Sequence, residues 1–122
     1  GADLHDGHNV VCHEFAHQLD QQAGGGPGAP DLGKRSRYVA WARVLGKEFE
    51  ALTRSVDKHR KTLIDPYGAT NPAEFFAVVT ECFFEKGVQL RSRHPELYAQ
   101  LCEFYRRDPA ALELGEAEQL LR

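Results

Sequence analysis

The sequence predicts a mainly α-helical fold, and three observations support this prediction. Apolar residues recur at spacings of three and four over long stretches, as they do in helices with one buried face. Residues that start and stop helices separate these stretches. No segment has a convincing strand pattern. With 122 residues, 42% of them hydrophobic, the chain is expected to form one domain over residues 1–122.

The first predicted helix covers residues 8–22, with Asn9 as its N-cap. Residues 24–33 contain five Gly and two Pro, a composition that sustains neither helix nor strand, so a mobile loop is expected there. A long helix is predicted from about Ser36 to Arg60. Its apolar residues recur at helical spacing, and they are Tyr38, Trp41, Leu45, Phe49 and Leu52.

A turn is predicted at residues 65–68, and a third helix should start at Asn71-Pro72, with Asn as the cap and Pro at the first helical position. This helix is expected to run to about Lys86 and to be stopped by Gly87. Its apolar residues surround most of its circumference, so it should be central. They are Phe75, Phe76, Val78, Val79, Cys82 and Phe83. Two more helices are predicted, one from near Pro95 and a short one over residues 109–121.

Charge and cysteine usage exclude several classes of protein. The net charge is −3, and residues 34–63 hold nine bases against three acids. No recognisable nucleic-acid-reading motif accompanies these bases, so they indicate a solvated helix face, not a direct nucleic-acid partner. An odd number of cysteines, at positions 12, 82 and 102, argues against a disulfide scaffold and for buried apolar side chains in a reducing cytoplasm. No signal peptide and no membrane-spanning segment is expected from this sequence, since no apolar run in it is long enough.

The motif that carries chemistry is His13-Glu14-Phe15-Ala16-His17, an HExxH pattern on the first predicted helix. Residues four apart share a helix face, so His13 and His17 can bind one metal ion. Glu14 projects to one side and can act on a water molecule as a general base. This is the arrangement of zinc peptidases, and it predicts one Zn²⁺ per chain. The alternatives are a surface helix that carries His and Glu by chance, and a structural zinc site closed by His8.

Two other patterns fail on inspection. Residues 28–34 match the start of a phosphate-binding loop, GxxxxGK, but Arg35 follows where Ser or Thr is needed, and no strand precedes it. The extended pattern HExxHxxGxxH fails because Asp20 replaces its Gly and Ala23 its third His. The third ligand must therefore come from elsewhere in the chain.

A catalytic zinc site keeps three protein ligands and one open position. Carboxylates on the third predicted helix are the candidates, namely Glu74, Glu81 and Glu85. Glu74 and Glu81 lie seven residues apart and share a face. However, Asn71-x-x-Glu74 resembles a capping box, in which the glutamate returns to the cap backbone. The residues alone do not decide between Glu74 and Glu81. Asp20 could hold a ligand histidine by its other ring nitrogen, or simply be a polar residue at a helix end.

A family resemblance accompanies these motifs. HEFAHQLD, then a Tyr shortly before NPAEFFAVVTECFFE, then HPELYAQLCEFYRRDP, resembles the Mlc titration factor A family of zinc peptidases in nearly the whole chain. The spacing of Tyr67 and Glu74 also resembles the catalytic centre of anthrax lethal factor. By this likeness His13, His17 and Glu74 would be the zinc ligands, Glu14 the general base, and Tyr67 a neighbour of the reacting oxygen.

Tyr67 also makes chemical sense on its own, because a phenol can donate a hydrogen bond to the oxyanion that forms when a carbonyl is attacked. The alternative is a turn tyrosine whose ring lies on the core.

The resemblance implies a zincin-like helical catalytic domain that cleaves peptides, with an aminopeptidase-like preference. Relatives are longer at their N-terminus, so the chain is expected to be a fragment, without the sheet that precedes the HExxH helix. The family name records binding to Mlc, a repressor of sugar-uptake genes. The alternative function is therefore a regulatory protein that sequesters such a repressor.

Overall fold

The computed structural model describes residues 32–120, and within them the fold is helical, as the sequence predicts. No strand occurs in this part of the chain. Its elements, in order, are α1 (Leu32–Asp57), a 3-10 turn (Pro66–Ala69), α2 (Pro72–Glu85), α3 (Gly87–Arg93), α4 (Pro95–Tyr105) and α5 (Pro109–Leu120). The predicted helix over residues 8–22 and most of the predicted loop over residues 24–33 lie outside the described residues.

Helix α1 begins four residues earlier and ends three residues earlier than the predicted Ser36–Arg60. Its end is set by His59, whose φ of 54° is left-handed. The Arg60 N–H donates to the Ser55 carbonyl at 2.9 Å, and the His59 N–H to the Val56 carbonyl at 3.1 Å. This pair of bonds is a Schellman motif, which satisfies carbonyls that would otherwise have no partner at the helix end. The chain then turns back towards α1.

From residue 36 onward, the basic residues of α1 lie on its solvent face, as predicted. Arg37, Arg43, Lys47 and Arg54 are all exposed. Two of them reach acids of α4: Arg37 pairs with Glu103 at 3.1 Å, and Arg43 with Glu96 at 3.9 Å. Both pairs are solvent-exposed, so each contributes at most about 1 kcal/mol.

Helix α2 is central, as its apolar circumference predicts. It begins with the predicted cap, where the Glu74 N–H donates to Asn71 Oδ1 at 2.9 Å and Pro72 occupies the first helical position. It packs against the 3-10 turn and against α3, α4 and α5. Its buried residues are Phe75, Val78, Val79, Cys82 and Phe83.

The third helix ends within one residue of the predicted Lys86, directly before Gly87. Helix α2 ends at Glu85 with Lys86 as its cap, but Gly87 is the first residue of α3, a helix that the sequence pattern did not predict. A Cβ on Gly87 would lie 3.0 Å from the Ala110 nitrogen and 3.1 Å from Pro109 Cβ. The glycine is therefore present because α5 approaches closely, and not to end a helix.

Helices α3, α4 and α5 are joined by buried or half-buried polar bonds. The Gly87 N–H donates to Glu113 Oε1 at 3.0 Å. Tyr98 Oη donates to Asp108 Oδ1 and accepts the Ala110 N–H at 2.9 Å. Burial and the bond to Asp108 raise the pKa of Tyr98, since both favour the neutral phenol. The start of α5 is thereby fixed to the two preceding helices.

Aromatic rings fill the space between α1, α2 and α4. Trp41 stacks on Phe104 with ring centroids 4.8 Å apart, and Phe76 meets both rings edge-on at 5.9 and 5.8 Å. Trp41 is only 1% exposed. Such aromatic pairs each add about 0.5–1.5 kcal/mol beyond the burial of their surface. A further bond, between Thr80 Oγ1 and Tyr105 Oη at 2.8 Å, joins α2 to α4.

Candidate metal centre and its surroundings

The 3-10 turn that carries Tyr67 is built by the residue before it. Asp65 Oδ1 accepts the Tyr67 N–H at 2.9 Å, and the Asp65 carbonyl accepts the Gly68 N–H at 3.0 Å. Pro66 fits the first helical position because its missing N–H would have no partner there. The sequence predicts a turn at this place, and the structure refines it to a single helical turn.

Gly68 allows this turn to lie in close contact with α2, because it has no side chain. A Cβ at Gly68 would lie 2.5 Å from Val78 Cγ2 and 3.2 Å from Leu52 Cδ2, which is too close for any side chain to fit without movement. Gly68 itself is buried. The turn is thus seated on both α1 and α2, and the position of Tyr67 is fixed relative to the start of α2.

The Tyr67 side chain points away from the core, with 57% of its surface exposed. The alternative of a turn tyrosine with its ring on the core is therefore wrong. The phenol is open to solvent at the surface where the 3-10 turn meets α2. A hydroxyl in that position can donate a hydrogen bond to a molecule outside the described part of the chain.

Glu74 lies in the first turn of α2 and is half-buried. Its backbone N–H is capped by Asn71, which is one half of a capping box. The returning bond, from the Asn71 backbone to the Glu74 carboxylate, is not found among residues 32–120, and neither is any ion pair of this carboxylate. The carboxylate is therefore available to a ligand.

Glu81 and Glu85, the other candidate ligands, are both exposed on α2. A metal-binding carboxylate is usually held in place by its surroundings, and half-buried Glu74 meets that requirement better. Within the described residues, no three His, Cys, Asp or Glu side chains converge on one point. The remaining predicted residues of the site lie outside the described part of the chain, and they are His8, His13, Glu14, His17 and Asp20.

The two cysteines in the described part of the chain are free thiols. Cys82 is 8% exposed in the core, and burial raises its pKa. Burial likewise raises the pKa of Cys102, which is half-buried. A thiol with a raised pKa is a poor metal ligand and a poor nucleophile, because both roles need the thiolate. Neither cysteine therefore competes with Glu74 as a candidate ligand. Cys12 lies outside the described residues.

One polar pair was not anticipated from the sequence, in which His94 has no partner at ligand spacing. His94 Nδ1 lies 2.9 Å from Glu48 Oε2, and both side chains are largely covered. The two residues are 46 positions apart, on α1 and at the junction of α3 and α4. Sequence spacing reveals only local partners, so no signal in the sequence could have identified this pair.

Comparison with known proteins bears on the metal centre. Residues 1–106, which include the HExxH motif, Tyr67 and Glu74, match the family described as glucose-regulated metallo-peptidase M90. The chain belongs to this family. It is 40% identical over 106 residues to Mlc titration factor A of Edwardsiella ictaluri, and 39% identical over 108 residues to that of Yersinia pestis. The resemblance to the Mlc titration factor A family is thus confirmed.

A further relative is an uncharacterized protein of Synechocystis, 51% identical over 104 residues. These alignments cover 84–86% of the chain but only 38–40% of each relative. The chain therefore spans about two fifths of the length of the curated relatives it matches. No solved structure matches it.

The family to which the chain belongs is described as metallo-peptidases, a class of enzyme that uses a bound metal. The HExxH motif, Tyr67 and the three candidate glutamates all lie within residues 1–106, the part of the chain that matches the family. In residues 32–120, no helix is both long enough and apolar enough to cross a bilayer.

Proposed function

We propose that residues 1–122 form a catalytic domain of a zinc-dependent metallopeptidase with an aminopeptidase-like preference. His13, His17 and Glu74 would hold one Zn²⁺, with Glu14 as the general base and Tyr67 as a hydrogen-bond donor. The observation that carries this proposal is the half-buried Glu74 carboxylate without a partner in residues 32–120, at the head of α2 and beside the turn that exposes Tyr67. The family match over residues 1–106 supports it.

Two histidines and one carboxylate are a donor set that suits a catalytic zinc ion, since they leave one position open. Zinc in such a set supplies Lewis-acid polarisation of a carbonyl and a lowered pKa of water. Glu14 would accept a proton from the attacking water and pass it to the leaving amine. Tyr67 would donate its phenolic hydrogen bond to the carbonyl oxygen as negative charge develops there.

The first test is the zinc content of the purified chain, measured by elemental mass spectrometry, with His17→Ala as the blank. About one zinc per chain, lost in the variant, supports the site. The same zinc content in both proteins would contradict it.

Glu74 is tested against Glu81, because the two share a helix face and Glu→Gln is the same chemical change at both positions. Glu74→Gln should lower zinc affinity by at least about tenfold, as expected for a changed ligand. Glu81→Gln should leave the affinity unchanged, since Glu81 is exposed. The reverse pattern would assign the third ligand to Glu81.

The catalytic roles need a separate readout. Glu14→Gln should retain zinc and lose peptide hydrolysis, because the base is removed and the ligands are kept. Tyr67→Phe should reduce kcat by roughly 10²–10³-fold while zinc content stays constant, as for other oxyanion donors. Comparison of a peptide with a free N-terminus and its N-acetylated form tests the aminopeptidase preference. Equal cleavage of both would reject that preference.

A second candidate function is the binding of a transcriptional repressor, and the name of the Edwardsiella and Yersinia relatives favours it. We propose that such binding and peptide cleavage occur in the reducing cytoplasm, where free thiols such as Cys82 and Cys102 persist. A pull-down of an Mlc-like repressor with the wild-type chain and with His17→Ala separates the two functions. Retention by both proteins would place the repressor surface away from the metal centre.

A further inference from the structure

A small cleft, whose lining includes neither Tyr67 nor Glu74, lies between the C-terminal half of α1, the loop after it and the end of α3. Its volume is about 200 Å³. Its apolar surface comes from α1 and from the loop, and consists of Ala51, Leu52, Leu63 and Ile64. Pockets for drug-sized ligands typically have about 300–1,000 Å³, so this cleft suits a smaller molecule with a short apolar body.

The loop wall of the cleft is held in a defined shape. The Schellman motif at His59 and Arg60 reverses the chain directly after α1. Thr62 Oγ1 then donates to the Ile64 carbonyl at 2.6 Å, which closes a tight turn in the wall itself. Ile64 is only 2% exposed and anchors the loop in the core. The cleft is therefore formed in advance, and binding would need little ordering of the loop.

The lining of the cleft holds one acidic residue, which is paired, and two basic residues that form no ion pair among the described residues. Glu48 and His94, which also line it, are 2.9 Å apart and bind each other. Lys61 and Arg93 line it too, and neither forms an ion pair with any residue in the described part of the chain. Because Glu48 already binds His94, Lys61 and Arg93 have no acidic partner among the lining residues. They line the same cleft as the four apolar residues named above, which we call its apolar floor.

We propose that this cleft binds a small aliphatic carboxylate, of the kind presented by the C-terminal leucine-like residue of a peptide or by a free acyl amino acid. Arg93 would bind the carboxylate through its planar fork, with Lys61 as a second charge, while the aliphatic body covers the floor. A free phosphate would satisfy the cations but leave the floor exposed to water, so the carboxylate fits better. This inference does not depend on the metal centre.

The test is a titration of the full ¹⁵N-labelled chain with N-acetyl-L-leucine, followed by the NMR shifts of backbone amides. Saturable shifts are expected at Ala51, Leu52 and Leu63, with a Kd on the order of 1 mM for so small a ligand. N-acetyl-L-leucinamide, which has the same shape without the charge, should bind about tenfold more weakly because it loses both ionic contacts. Equal binding of acid and amide, or no saturation at the cleft, would overturn the proposal.

Matched variants identify the charges responsible. Arg93→Gln and Lys61→Gln should each weaken binding of the acid by about two- to fivefold, the range of exposed ionic contacts. Arg91→Gln and Lys58→Gln make the same change on the same segments, outside the cleft lining, and should leave the Kd unchanged. If the control variants weaken binding as much as the cleft variants, the effect is one of general charge, and the proposal fails.

Two further probes separate the sources of the ligand. Acetyl-Ala-Ala-Leu with a free carboxylate should bind more tightly than N-acetyl-L-leucine if the site takes the end of a polypeptide, and equally if it takes a free acid. Either result supports the carboxylate class. Inorganic phosphate should not displace the acid, and displacement by phosphate at comparable concentration would contradict the role of the apolar floor.

Discussion

Replacing Gly68 by Ala should destabilise the fold, because this glycine sits where the Tyr67 turn touches α2. The added methyl would lie 2.5 Å from Val78 Cγ2 and 3.2 Å from Leu52 Cδ2. Val78 cannot move aside easily, since a β-branched side chain in a helix has one strongly preferred rotamer. The turn itself must therefore shift away from α2.

The expected size follows from two opposing effects. Overpacking of a filled site costs about 1–3 kcal/mol. Replacing a glycine also reduces the conformational freedom of the unfolded chain, which stabilises the folded state by about 0.4–1 kcal/mol. The net loss is therefore about 1–2 kcal/mol. For a chain of this size, 1 kcal/mol corresponds to about 4 °C in Tm, so Gly68→Ala should lower Tm by about 4–8 °C.

The assay is thermal and urea unfolding followed by far-ultraviolet circular dichroism. Gly115→Ala is the matched control, because it lies within α5 and an added Cβ there meets nothing within 4 Å. This control should gain about 0.5–1 kcal/mol, as Ala does over Gly in a helix. If Gly68→Ala is also stabilised, the close contact between the turn and α2 does not exist, and the reasoning is refuted.

A second variant tests the cause. Adding Val78→Ala removes the methyl that the new side chain meets, so the double variant should be more stable than the sum of the single changes predicts, by about 1 kcal/mol. Simple additivity would mean that Val78 is not the obstacle.

Two further predictions concern the titrating groups. Tyr98→Phe should destabilise the chain by about 1–3 kcal/mol below pH 10, because Ala110 loses the acceptor of its buried N–H. Because folding raises the pKa of Tyr98, the stabilisation from its neutral phenol is complete below about pH 10 and is lost as the pH rises further. In urea unfolding, the wild type should therefore lose more stability than the variant above this pH. In a Cys12→Ser background, Cys102 should react with iodoacetamide before Cys82, and both should react slowly at about pH 8, because burial raises both pKa values above the usual 8.5 or so. Rapid labelling of Cys82 in the folded chain, detected by peptide mass spectrometry, would contradict its burial.

The parts of the fold that local signals encode were predictable. Asn71 and Pro72 mark the start of α2 because a cap and an N1 proline act within four residues. The central place of α2 follows from its apolar circumference, and its buried residues confirm it. The helix that begins at Gly87 was not predictable, and neither was the reason for the glycine, because only the folded chain shows Pro109 and Ala110 beside it.

The candidate site was also predictable only in part. Tyr67 and Glu74 could be singled out by chemistry and family resemblance, but their exposure depends on which face of the turn and helix meets the core. The sequence left open whether the Tyr67 ring lies on the core, and the structure shows it exposed. The pairing of His94 with Glu48, and hence the charge balance of the cleft, needs α1 to meet the junction of α3 and α4. No local pattern encodes that meeting.

Because Trp41 lies in the core, its intrinsic fluorescence can be used to follow unfolding of the chain. It is the one tryptophan in the sequence and is almost fully shielded from water, stacked on Phe104 of α4 and met edge-on by Phe76 of α2. An indole in such surroundings emits at shorter wavelength than one in water. Its emission should therefore shift to the red only when the junction of three helices opens. The fluorescence of this single tryptophan follows the tertiary core, whereas circular dichroism follows the helices. Coincident unfolding transitions by the two methods would establish that core and helices unfold in one step.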